Sequence, residues 1–409
     1  MNGARFPGIG IELEYMIVHK DTLSVYPVAD QILKAFGGKI ASEIDMGALL
    51  WSNELVLHVI ELKSNGPASS LLSLVHSFQN DISKINRFLD PMNGCLLPTG
   101  MHPLMDPFAE TVLWPHEYNP IYETFNRIFD CRGHGWANLQ SMHINLPFSD
   151  EETFGRLHAA IRLILPIFPG LSASSPIVQG KYTGRLDNRL EFYRINQKKI
   201  PSLTGDVIPE PIFTPAAYQN QILNRLYQDL SPYDPEEILK EEWVNSRGAI
   251  ARFERNTIEI RVLDMQECPL ADLAIAGGII EVIQWLMNEG PCNFETQKQF
   301  PSEPLIEIFL SAIQNAEQAF ISHQDYLRVL GIHSSGPISI KKVWERLFES
   351  VSIWNTENPW KEPLQIILQH GSLATRIVQA LGENPDEKAI QKVYRSLAQS
   401  LSQGQLFVP

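Results

Sequence analysis

The chain has 409 residues, 44% hydrophobic and 20% charged, the balance of a globular protein with material for a large core. A net charge of -14 and the lack of any basic run longer than Lys198-Lys199 or Lys341-Lys342 argue against nucleic-acid binding. Cys95, Cys131, Cys268 and Cys292 fit no zinc or redox spacing and read as free thiols of a reducing compartment.

The first element is Gly8-Ile-Gly-Ile-Glu-Leu-Glu-Tyr15, whose alternation predicts a strand with Glu12 and Glu14 on one face. Two carboxylates roughly 7 Å apart on one face repel unless a cation sits between them, and a divalent ion with oxygen ligands is the simplest answer. In Glu54-Leu-Val-Leu-His-Val-Ile-Glu-Leu62 the spacing puts Glu54 in the approach to a strand. Glu61 then lies inside an apolar run, where a buried carboxylate needs a partner. Residues 69–88 carry apolar side chains near helical spacing and stop before Asp90-Pro91.

Leu139-Gln-Ser-Met-His-Ile-Asn-Leu146 predicts a strand with Ser141, His143 and Asn145 on its polar face. A helix is predicted over 151–168, with Ser149-Asp-Glu-Glu152 as its start and Pro166 disturbing its last turn. Residues 196–214 form a long polar connection of the kind that covers active sites. In Thr257-Ile-Glu-Ile-Arg-Val-Leu-Asp264 Glu259 and Arg261 share a face. Taken singly, such features are also those of solvated strand faces, satisfied histidines and surface ion pairs; their combination carries the weight.

Residues 271–287 are apolar but contain Asp272 and Glu281, so they read as a buried helix rather than a membrane span. From residue 301 the pattern is helical, with breaks at 331–337, 358–359 and 382–385. The opening residues show no apolar signal core, and the expectation is a cytoplasmic protein. Gly8-Ile-Gly10 lacks the third glycine of a dinucleotide fingerprint, no P-loop is present, and Ser172, Ser174 and Ser175 sit in no nucleophile elbow.

In this order, Gly-Ile-Glu-Leu-Glu, the acidic pair seven apart, Met-His-Ile-Asn and Ile-Glu-Ile-Arg resemble the glutamine synthetase-like ligases. Within them the match is to the type-2 glutamate–cysteine ligase and carboxylate–amine ligase family. Pro98-Thr-Gly-Met-His-Pro103 and Leu171-Ser-Ala-Ser-Ser-Pro-Ile-Val-Gln-Gly180, followed by Arg185 and Arg189, are similar to further segments of that family. The likeness runs over about residues 8–290. Three departures stand out: Ser141-Met-His-Ile-Asn145 replaces a His-x-His-x-Gly strand, Glu54 replaces an Asp, and Arg255-Asn-Thr257 replaces Phe-Gly-Thr.

The resemblance implies an α+β fold, a glutamine synthetase-like antiparallel sheet with a concave active-site face flanked by helices. Residues 1–300 would be the catalytic domain and 301–409 a helical region packed on it. It implies an ATP-dependent ligase joining glutamate, or a similar acid, to an amine such as cysteine through an acyl phosphate. Two or three Mg2+ or Mn2+ ions held by Glu12, Glu14, Glu54, Glu61, His143 and Glu259 would bridge the ATP phosphates. Arg261 would stabilise charge on the transferring phosphoryl group. Arg185 or Arg189, with Asn145, would bind substrate, and Arg252 or Arg255 would contact nucleotide phosphate. The partners are small molecules, with no membrane and no nucleic acid, and a homo-oligomer is left open. Three alternatives stand beside the ligase. They are a metal-dependent phosphotransferase needing no amine, a metal-dependent hydrolase needing no ATP, and a catalytically silent relative.

Overall fold

The computed structural model describes residues 6–382 and 385–409. Its centre is an eight-stranded antiparallel sheet. The strands are β1 (Gly10–His19), β2 (Glu43–Asp45), β3 (Leu49–Asn53), β4 (Val59–Ser64), β5 (Gly94–Leu97) and β6 (Ser141–Pro147). A separate two-residue pair, β7 (Ile177–Val178) and β8 (Lys181–Tyr182), precedes β9 (Ala249–Arg252) and β10 (Thr257–Asp264). The sheet order is β2-β3-β4-β1-β6-β10-β9, with β5 on the far half of β1.

Alternation fixes the register. Ile11, Leu13 and Tyr15 of β1, Met142, Ile144 and Leu146 of β6, and Ile258, Ile260 and Val262 of β10 are fully buried on one face. They pack with Phe78 and Ile82 of the Leu71–Leu89 helix and with Ile279 and Ile283 of the Pro269–Met287 helix. Each such side chain gains about 1.5–3 kcal/mol from burial, so a slip of one residue, which would turn the whole set to the other side, is strongly disfavoured. The opposite face is left free to be polar.

The predicted helices are present, with local ends set by caps. Ser70 accepts the Ser73 amide at the start of Leu71–Leu89. Asp150 accepts the Thr153 amide at 2.8 Å to open Glu151–Ile164. Pro166 falls in a 3-10 turn, Leu165–Ile167, because proline offers no amide to continue the ladder. Pro269–Met287 is apolar all round and largely buried, a core helix rather than a surface one. A Cβ on its Gly277 would lie 2.4 Å from Trp360, so glycine there permits close approach of the later helices.

The helices Leu373–Leu381 and Glu387–Gln403 cover one end of the polar face. There β1 presents Met16 and Val18 instead of glutamates, packed with Ile377, Ile390 and Tyr394. The open part of that face therefore begins at Glu14.

Candidate active site

Register brings the sequence motifs together. Glu12 pairs with His143 on one side and Lys63 on the other, and Glu14 pairs with Glu61. Gly10 and Glu259 both lie opposite Asn145. Glu54 follows β3 directly, in the approach to β4, as the spacing predicts. Between Ile260 and Leu263 the β6–β10 register shifts, a bulge that sets Arg261 and Val262 against the His143 position and re-aims a side chain at the site.

His143 is the hub. Its Nδ1 lies 3.0 Å from Glu12 Oε2 and 3.7 Å from Glu259 Oε1. Its Nε2 lies 2.9 Å from Ser141 Oγ and 3.9 Å from Glu14 Oε1. Asn145 Nδ2 donates to Glu12 Oε1 at 3.0 Å, and the Ser141 amide donates to Glu14 Oε2 at 2.6 Å. Ligand atoms of Glu12, His143 and Glu259, and separately of Glu14, Glu61 and His143, lie within 4.8 Å of one another. These donor sets, rich in carboxylate oxygen with one imidazole, suit a hard divalent cation such as Mg2+ or Mn2+.

The electrostatics fit the same reading. Burial pushes Glu54 well above the usual carboxylate range, and the charges of Glu61 and Glu14 add to the rise. Burial carries Glu61 up to about 7 against the opposing Lys63 ammonium. For Glu12 burial is outweighed by the His143 hydrogen bond and charge, so its pKa falls well below the ordinary value. Burial resists charging of His143, yet Glu12, Glu14 and Glu259 raise its pKa. Nearby Lys63, Arg252 and Arg261 do not balance the five glutamates Glu12, Glu14, Glu54, Glu61 and Glu259.

The arginines divide by role. Arg261 Nε lies 2.8 Å from Glu259 Oε1, and Arg261 lines the cavity described below. Arg189 also lines it, but two of its nitrogens are engaged. One donates to the Arg261 carbonyl at 2.9 Å, which braces the bulge, and the other to Asp264 Oδ1 at 3.4 Å. Its Nε is buried without a hydrogen-bond partner, as are those of Arg185 and Arg252. Arg185 sits 3.9 Å from Glu191 and is not among the cavity-lining residues. Arg252 is held by Glu259 at 2.9 Å and by Glu254. Arg255 is exposed beside Glu254, since the Phe253–Arg255 turn points it to solvent.

Sequence reasoning missed several neighbours. Lys63, two residues beyond Glu61 and therefore on the same face, lies 3.2 Å from Glu61 and 2.8 Å from Glu43; the alternation rule already contained it. Ser52 Oγ donates to Glu61 at 2.6 Å. Asp264 accepts the Ser174 amide at 2.9 Å and the Ser175 hydroxyl at 2.8 Å, and Ser174 Oγ accepts the Gly100 amide at 2.8 Å. The 98–103 and 171–180 segments therefore meet beneath the end of β10 as its support.

A cavity of about 480 Å³ opens beside the carboxylates. It is lined by charged and polar groups, Glu14, Glu54, His143, Arg189 and Arg261, and by the rings of Tyr122, Phe125, Trp136, Tyr193 and Trp243, with the Arg189 guanidinium 5.8 Å over the Tyr193 ring. Of the 196–214 connection only Asn196 and Gln197 reach it. The rest is tied down, with Glu210 bound to Arg247 at 2.6 Å.

A concave antiparallel sheet flanked by helices is an architecture of known ligases. The bifunctional glutathione synthetase of Pasteurella multocida superposes with a TM-score of 0.64 at 13% identity, over 97% of this chain and 52% of that one. The chain spans about half of that enzyme. Glutamate–cysteine ligase of Francisella tularensis, solved in complex with AMP, gives 0.59 at 12% identity, over 98% of this chain and 90% of that one. These likenesses establish the fold. An uncharacterized protein of Archaeoglobus fulgidus is 34% identical over 394 residues, 96% of this chain and 97% of that one. The glutamate-cysteine ligase family 2 model matches residues 8–307, and the chain belongs to that family. Its class is that of the carboxylate–amine ligases.

Proposed function

We propose that the protein is an ATP-dependent ligase that joins glutamate, or a similar acid, to an amine through an acyl phosphate. The observation that carries this reading is the convergence of Glu12, Glu14, Glu61, His143 and Glu259 into two donor sets sharing one imidazole, beside a cavity with room for substrates. A divalent cation held by those residues supplies charge neutralisation for the phosphate oxygens.

The substrate carboxylate oxygen attacks the γ-phosphorus, the bond to the β-phosphate oxygen breaks, and ADP leaves. Arg261, fixed by Glu259 at 2.8 Å, stabilises negative charge on the transferring group. Arg189 contributes its unpaired Nε to the acid's carboxylate and, through the Arg261 carbonyl, keeps that arginine in position. The amine, having given one proton to water, attacks the acyl carbon. The carbon–oxygen bond then breaks, phosphate departs with the electron pair, and a second proton leaves nitrogen.

The test is isotopic. With the acid labelled by 18O in its reacting carboxylate, the phosphate released carries one labelled oxygen. Unlabelled phosphate alongside amide product overturns the acyl phosphate.

A further inference from the structure

We infer that the amine used by this enzyme carries an aromatic or heteroaromatic group, seated among Tyr122, Phe125, Trp136, Tyr193 and Trp243. This rests on the ligase reading above and concerns its acceptor. Phe125 forms a corner, with the Trp136 and Trp243 rings tilted about it at 5.2 and 5.8 Å. Both indoles are only partly buried and line the cavity, so ring surface is offered to a ligand. A planar group gains there by offset or edge contacts beyond simple area burial.

The volume points the same way. About 480 Å³ is the size that encloses a drug-sized ligand. The polar pattern is fixed as well. Trp136 Nε1 and Asn196 Oδ1 are buried without partners, although both residues line the cavity. Such groups are costly unless a ligand satisfies them. They offer a donor and an acceptor to the edge of a ring or to a carboxylate on the amine.

A planar group with a polar edge could instead be the nucleobase of ATP. Charge decides for the amine. The Glu14 carboxylate lines this same cavity and attracts an ammonium, whereas a nucleobase has no positive charge to offer it. The rings add cation–π attraction for an ammonium approaching across their faces.

The experiment measures phosphate release with ATP, Mg2+ and glutamate against cysteine, alanine, tyramine, histamine, phenylalanine and tyrosine. It is run on the native chain, on Trp136→Leu and on Ile121→Trp, which narrows the same cavity from the Asn119–Phe129 helix. An aromatic amine should exceed cysteine in kcat/KM by about 10-fold or more. Trp136→Leu should raise the KM for that amine about 10-fold while the KM for ATP stays within about twofold. Ile121→Trp should lower turnover of the aromatic amine more than that of alanine. The pair with and without a carboxylate, phenylalanine against tyramine, tells whether the unpaired Trp136 Nε1 binds that group. Cysteine or alanine as best substrate overturns the inference and leaves the ligase intact. A rise in the KM for ATP alone overturns it by assigning the rings to the nucleobase. No turnover with any acid–amine pair removes the ligase reading and this inference with it.

Discussion

Two of the groups of buried charge among the described residues are finished differently. Where the C-terminal helices close over the sheet, Arg376 and Glu267 are both fully buried. There Arg376 donates to Glu267, to the Gly371 carbonyl at 3.2 Å and to the Phe407 carbonyl, while Glu267 also accepts the Phe407 amide at 3.1 Å. That pair is satisfied by the protein alone, which marks it as structure. On the concave face five glutamates meet fewer cations; burial raises Glu54 and Glu61, and the charges of neighbouring glutamates add to the rise. Asn145 Oδ1 and Arg189 Nε remain unpaired there. Deficit of partners, rather than burial of charge, is what separates a ligand site from a structural clasp.

The difference is testable by breaking each side. Arg376→Met leaves Glu267 charged and unpaired, at a cost of about 3–5 kcal/mol read from urea unfolding, and Arg376→Met/Glu267→Met should recover most of it. An unchanged midpoint in the single variant would mean the clasp holds nothing. Glu12→Gln or Glu259→Gln should instead cut Mg2+-dependent turnover by about 100-fold or more with the fold kept, because a ligand is lost while the apolar face of the sheet is untouched. Full activity in both would remove the metal assignment.

A third expectation concerns pH. Glu61 rises from 4.5 to about 7 on folding, and His143 also rises, so the folded metal-free protein binds more protons than the unfolded chain at both groups. The stability from Glu61 is complete below the ordinary carboxylate value and is lost as pH climbs through about 7, and that from His143 is complete below the ordinary imidazole value and is lost above it. Melting temperature without metal should therefore fall between pH 5 and 8. Mg2+, which binds the deprotonated ligands, should restore more at pH 8 than at pH 5. Equal Mg2+ effects at both pH values would contradict the deficit. Least affected of all should be Arg255→Ala, exposed at the turn, with kcat/KM within about twofold; a tenfold loss would return it to the phosphate site.

Much of the sheet was legible because period-two alternation is local and strict. It placed Glu12 beside Glu14, His143 beside Asn145 and Glu259 beside Arg261, and it could have supplied Lys63. What it could not show was which strands are neighbours, since register between Glu14 and Glu61 is settled by packing on the other face. The jobs of the arginines were hidden for a related reason. Arg189 is spoken for by Asp264 and the Arg261 carbonyl, groups more than 70 residues away, and Arg252 by Glu259 through a strand pairing. The aromatic wall has no sequence signature at all, because Phe125, Trp136, Tyr193 and Trp243 come from four separate segments.

The most direct measurement is phosphate release from ATP with Mg2+, glutamate and each amine in turn, with products identified by mass. The account predicts release that requires both acid and amine, and a product heavier than glutamate by the amine less one water. Release that ignores the amine, or no turnover with any pair while Mn2+ still binds the glutamates, would contradict it.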